Sequence, residues 1–190
     1  RPRPPTWHSR TAAACAPIYS DNFDAPGNLP SGEQEGAVWG VVEGKYRLLI
    51  KSANFFEPQL IGPALKDYQV DVDAQFNSDS TGTYGLVVAA RGQDDYIAFA
   101  VDADRNFMIT RRTSGGSTPI QEATFAPALK PGQAINHLRV IQRGQQIALY
   151  ANDVLLKLIN DDGDPNSNKQ IGLIAASFNR GGVDARFDNV

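Results

Sequence analysis

The ten residues DYQVDVDAQF constrain this chain more than any other stretch. Tyr68, Val70, Val72, Ala74 and Phe76 alternate with Gln69, Asp71, Asp73 and Gln75. A period of two puts the first set on one side of an extended chain and the second set on the other. That is the pattern of an antiparallel strand with one face buried and one face wet. The same reading extends to TYGLVVAAR (83–91), YIAFAVD (96–102) and NFMITRRT (106–113), which are separated by turn-sized GQDD and ADR. After SGGST come PIQEATF, NHLRVIQR (136–143), QIALYAN (146–152), VLLKLIN (154–160), QIGLIAASF (170–178) and VDARFDNV (183–190). Asn152-Asp153 and Arg143-Gly144 stand where tight hairpin turns belong. No stretch of ten or more residues carries a convincing helical period.

Many short strands with turn signals every 8–12 residues or so point to a sandwich or a barrel. GLVVAA and IGLIAA are apolar on both parities, which suits strands lying between layers. The expected fold is therefore all-β, a two-sheet antiparallel sandwich of jelly-roll type. DAPGNLPSGEQEG (24–36) and SANFFEPQLIGPALKD (52–67) read as long loops, and loops of that length often carry function. No internal repeat is evident.

Composition removes several classes of function. At 190 residues with a net charge of -3, the chain offers no basic footprint for nucleic acid. No apolar run approaches the roughly 18–20 residues of a membrane-crossing helix, so no membrane insertion is expected. With 42% hydrophobic residues it has ample material for a core. The first residue is Arg rather than Met, which suits an end left by signal-peptide removal or a boundary set elsewhere. The chain contains 1 cysteine, so an internal disulfide is excluded. In a secreted protein a lone cysteine points to a free thiol or an intermolecular bond.

Residues 1–17, RPRPPTWHSRTAAACAP, differ from the rest of the chain. They hold four prolines and the lone cysteine, and they read as an extended arm preceding a domain at 18–190. Prolines lower the entropic cost of ordering such an arm. The open edges of a sandwich can accept an extended segment as an added strand. Trp7, Cys15 and Pro17 are the expected anchors, and copies of the same chain are the expected partner.

From about Ile18 to Val190 the chain resembles a group of bacterial extracellular domains with the concanavalin A-like lectin/glucanase jelly roll. These are loosely described as related to family 16 glycoside hydrolases or keto-disaccharide hydrolases. The resemblance rests on Asp21-Asn22-Phe23, on Asn136-His137-Leu138-Arg139-Val140 before the Asn152 hairpin, on Ile171-Gly172-Leu173, and on the closing Phe187-Asp188-Asn189-Val190. It implies an extracellular or cell-surface, lectin-like module without catalytic activity, with a glycan or another surface ligand as partner. Two alternatives stay open. The chain is a structural subunit of an extracellular filament joined through its arm, or, more weakly, it is a glycoside hydrolase.

Hydrolysis of that kind needs two carboxyl groups about 5 Å apart flanking the sugar bond. The nearest pattern is Asp71, Asp73 and Gln75, whose third member is an amide, and the solvent face of a strand explains it better. His8 and His137 are the only histidines. Neither sits in a nucleophile-elbow pattern, so no catalytic residues are expected. The resemblance also implies a structural calcium near the joined termini, where Asp21 and Asp188 lie. A second candidate is NDDGDPNSN (160–168), in which Asp161, Asp162 and Asp164 supply the hard oxygen ligands calcium takes. Its spacing is not that of an EF-hand, and a solvated turn uses the same residues. Sugar binding calls for exposed aromatic faces with polar groups beside them. Phe55, Phe56 and Tyr96 are the aromatic candidates, with Arg91, Asp94 and Arg111 as polar partners. Trp39 and Tyr96 also suit a core. Adjacent Phe55 and Phe56 cannot both point inward in an extended chain.

Overall fold

The computed structural model describes residues 16–24 and 29–190. Trp7 and Cys15, expected as anchors of an arm, lie outside the described residues, whereas Pro17 is exposed. Among the described residues fourteen strands follow in chain order. They are β1 (Gly32–Gln34), β2 (Ala37–Val42), β3 (Lys45–Ile50), β4 (Phe56–Leu65), β5 (Tyr68–Phe76), β6 (Gly82–Gly92) and β7 (Asp95–Val101). The second half holds β8 (Asn106–Thr113), β9 (Gly116–Phe125), β10 (Asn136–Arg143), β11 (Gln146–Ala151), β12 (Val154–Asn160), β13 (Lys169–Ser177) and β14 (Val183–Asp188).

They form two antiparallel sheets. One runs β1-β2-β3-β14-β5-β10-β11-β12, the other β4-β13-β6-β7-β8-β9. Alternation decides which side chains lie between them. In β5, Tyr68, Val70, Val72, Ala74 and Phe76 are buried, as the period of two requires. From the other sheet Tyr84, Leu86, Val88, Phe99, Ile109 and Leu173 meet them. Phe76 and Tyr84 touch across the gap with ring centroids 5.6 Å apart. The ends of the chain close on each other, Asp21 N–H donating to Val190 O at 2.9 Å and Val190 N–H to Asp21 O at 3.0 Å.

Both expected hairpin turns are present. Asn152 and Asp153 take φ of 48° and 66°, the left-handed pair a tight β11–β12 turn demands. Gly144 turns β10 into β11 at φ 57°. The stretch 52–67, read from sequence as a loop, is instead largely strand β4, paired to β13 along its length. Its prolines hid it. Pro58 and Pro63 remove ladder donors, which a strand tolerates at the edge of a sheet, and β4 is an edge.

Candidate functional site

The two sheets turn very different outer faces to the surroundings. On the larger sheet, register places His137 opposite Asp73 and Arg139 opposite Asp71. His137 lies between the carboxylates, with Nδ1 2.9 Å from Asp73 Oδ1 and Nε2 3.0 Å from Asp71 Oδ1. Arg139 Nε donates to Asp71 at 2.5 Å and its Nη1 to Asp153 at 2.9 Å. Asn189 Nδ2 donates to Asp73 at 3.0 Å. Partial burial pulls both carboxyls upward. The donors around them outweigh it and hold each below the usual carboxylate range. Burial likewise opposes charge on His137, but Asp73 and Asp71 overcome it and raise the imidazole above its ordinary value. With both carboxyls held below the usual range, neither is suited to give a proton to a leaving group, which makes the pair a poor acid–base couple for glycoside cleavage.

The smaller sheet has another character. Leu86, Leu173 and Ala175 point into the core, so their neighbours Val87, Gly172 and Ile174 point outward. Gly85, Ala98, Ala100 and Ala176 share that outer face by register. The small residues have a steric reason at Gly85, where a Cβ would fall 2.1 Å from the carbonyl oxygen of Phe99. Val87, Ala90, Tyr96 and Ile174 make a second apolar cluster here, with Leu60 and Ala98 against it. Although it faces away from the core, Tyr96 is only 2% exposed, and burial pushes its hydroxyl up to about 12.

Polar groups gather at the end of this face. The β6–β7 turn brings Asp94 and Asp95, β8 brings Arg111 and Arg112, β6 brings Arg91, and the segment after β12 brings Asp161 and Asp162. Register sets Tyr96 opposite Arg112, so both point to the outer face. Arg91 grips the buried Asp161 with Nη2 at 2.6 Å and Nη1 at 3.2 Å. Arg111 Nη2 lies 2.9 Å from Asp95 and 3.4 Å from Asp162, and its Nη1 lies 3.6 Å from Asp161. Asp161 also accepts from Gly163 N–H and Gln142 Nε2, both at 3.2 Å. Burial would raise its carboxyl, yet Arg91, Gly163 and Gln142 bring it below the usual range. A bulge in β6 aims this grip. Ala89 there holds φ 52°, and its N–H donates to Tyr68 Oη at 2.9 Å.

The structure thus brings Arg91, Asp94, Tyr96 and Arg111 to one end of one sheet, as grouped from sequence, and joins Phe56 to them. Phe56 is 40% exposed, and the guanidinium of Arg112 lies 5.1 Å from its ring centroid. Strands β13, β6 and β7 lie between β4 and β8, so this contact spans the outer face. Phe55 points the other way and packs on the core. Trp39 is partly buried against the core and touches Gly32. Sequence reasoning missed Arg112, although TRR on an alternating strand puts Arg111 and Arg112 on opposite faces. It also missed the arginine grip on Asp161.

That grip bears on calcium. Asp161 gives both carboxylate oxygens to Arg91, and Asp164 spends Oδ1 on the N–H of Asn166 at 2.8 Å. The buried Lys169 ties the same segment from below, its Nζ 3.3 Å from Lys66 O and 3.5 Å from Pro165 O. At the termini Asp21 Oδ1 accepts from Phe23 N–H and Asp188 Oδ1 from Asn189 N–H. Among the described residues no three His, Cys, Asp or Glu side chains converge as a metal would require. The donors present do not fit a bound cation.

A two-sheet antiparallel sandwich of this order is a jelly roll of the concanavalin A-like kind. Solved structures bear that out. The chain is similar to the carbohydrate-binding module CBM66 from Bacillus subtilis, with a TM-score of 0.55 and 18% identity over 86% of this chain and 90% of that one. It is also similar to the CBM2 module of the evolved Dit of Lactobacillus casei BL23 phage J-1 (TM-score 0.59, 10% identity, 90% and 92% covered). The catalytic domain of an endo-1,3-beta-glucanase (laminarinase) from Thermotoga petrophila RKU-1 shares the architecture as well (0.57, 11% identity, 90% and 94% covered). No protein-family model matches the chain, and no curated protein does. At these identities the likeness is one of fold.

Proposed function

We propose that this protein is a non-catalytic, glycan-binding β-sandwich module that works outside the cell or on its surface. One observation carries the reading. The half-exposed ring of Phe56 stands beside Arg112, which itself faces Asp94, on a face whose floor is apolar and whose rim is charged. Sugars offer apolar C–H faces and hydroxyls together, and such a surface answers both. Carbohydrate-binding modules among the similar folds support it. The absence of a catalytic role is supported by the Asp71–His137–Asp73 clamp, whose carboxyls are held below the usual range and are not suited to give a proton. The test is a glycan array with the full chain beside Phe56→Ala, run with a reducing-sugar assay on the same glycans. Binding that falls about tenfold in the variant, without hydrolysis, is expected. Turnover lost in Asp73→Asn would overturn the non-catalytic reading.

A second reading has its own observation. Among the described residues no strand pairs with the outer edge of β12, which ends the larger sheet and leaves Val154, Leu155 and Leu158 exposed at 50%, 42% and 48%. Edges of that composition invite another strand, which suits assembly with further copies of the chain through residues 1–17. Removing those residues should abolish assembly in light scattering; polymers formed by the truncated chain would end this reading.

A further inference from the structure

Among the described residues Arg112 makes one direct side-chain hydrogen bond at this end of the molecule. Its Nη1 donates to Ser117 Oγ at 3.3 Å, while its Nε is buried without a hydrogen-bond partner. Its Nη2 stands 4.0 Å from Asp94 Oδ1, which is an ion pair but too long for a hydrogen bond. The two side chains therefore face each other across an open gap. Asp94 is 70% exposed in its side chain and Arg112 27%, so the gap opens outward. Beside it lies the exposed part of the Phe56 ring, and beneath it Tyr96.

We infer that this gap is a subsite for the vicinal diol of a neutral sugar, an inference that rests on the glycan-binding reading above. One hydroxyl accepts from the Arg112 guanidinium and its neighbour donates to the Asp94 carboxylate. The two ionic partners, already 4.0 Å apart, then need no rearrangement to be bridged. Both bonds have one charged partner, which makes them stronger than neutral ones. The C–H face of the same ring lies over Phe56.

Charge sets the class of sugar. Arg91, Arg111 and Arg112 are matched here against Asp94, Asp95, Asp161 and Asp162. A uronate or a sulfated sugar would bring a further negative charge to an end that already holds one acid more than it holds arginines. A neutral hexose pays no such penalty. Linkage follows from the diol. Cellohexaose keeps two adjacent free hydroxyls on every residue, whereas internal residues of laminarihexaose have none.

Titration calorimetry with the full chain tests this, using cellohexaose, laminarihexaose, polygalacturonate oligomers, and a cellulose oligomer whose diols have been cleaved by periodate and reduced. Cellohexaose should bind best, and Asp94→Ala and Arg112→Ala should each weaken it about tenfold or more. Asp94→Ala and Phe56→Ala should leave the denaturation midpoint in place, since both side chains are substantially exposed, which separates lost contact from lost fold. Periodate treatment should remove binding. Retained binding of the cleaved oligomer, tighter binding of polygalacturonate, or indifference to both substitutions overturns the diol subsite while glycan binding itself stands. No binding to any glycan overturns both.

Discussion

The outer faces of the two sheets are built from the same alternation and end with opposite properties. On the larger sheet, Asp71, Asp73, His137 and Arg139 saturate one another, and each half-exposed charge has its counterpart within 3.0 Å. On the smaller sheet, Arg112 keeps an unpartnered Nε and a 4.0 Å gap to Asp94, above a floor of small and apolar residues. A satisfied network holds strands in register and leaves little for a ligand to gain. An unsatisfied donor beside an exposed ring is what a ligand completes. Charge density alone points to the larger sheet, whereas the proposed binding face lies on the smaller one.

The comparison can be broken first at Asp161, which separates support from binding within the smaller sheet's own end. Its carboxylate is buried and receives Arg91, Gln142 and Gly163. Asp161→Ala leaves a partly buried guanidinium and two other donors without their acceptor. A loss of about 3–5 kcal/mol is expected in chemical denaturation. A loss below about 1 kcal/mol would mean that the arginine grip is ornamental and that the end of the sheet is held otherwise. The larger sheet's network should give far less. His137→Ala removes two hydrogen bonds from a half-exposed site, and about 1 kcal/mol is expected. Glycan affinity should not move, because His137 and Phe56 stand on different sheets. An affinity change there would transfer the binding face to the larger sheet.

The sandwich was legible because alternation is local. Tyr68 to Phe76 declare their faces without reference to any other strand, and Asn152-Asp153 declare a turn from two residues. Strand β4 was not legible, since Pro58 and Pro63 read as loop until β13 is known to lie on one side only. The site was partly legible. Arg91, Asp94, Tyr96 and Arg111 cluster because β6, β7 and β8 are consecutive hairpins, so proximity in sequence became proximity in space. Phe56 joins them through Arg112 across three intervening strands, and nothing local encodes that meeting. The acidic run after β12 misled for a related reason. Asp161 looks like a cation ligand until Arg91, 70 positions away in sequence, is found holding it.

The smallest effect concerns protons, and it tests whether the larger sheet's face is as closed as its geometry says. His137 is raised above its ordinary 6.5, so its share of stability is complete below that value and fades as pH climbs through the raised folded value. Asp71 and Asp73 are lowered from 3.8, so their share is present above that value and fades as pH falls through their folded values. Arg139, Lys130 and Asn189 face the two carboxylates, and Asp153 pairs with Arg139. Once the imidazole loses its proton it donates through one nitrogen only, and one carboxylate then meets a lone pair instead of an N–H. Stability measured from pH 4 to pH 9 or so should therefore decline on the alkaline side in the natural protein. In His137→Gln, which lacks the titrating group, that decline should vanish. Identical curves for the two proteins would show that the imidazole carries no charge between the aspartates, and the contrast between a saturated face and an unsaturated one would lose its best-defined example.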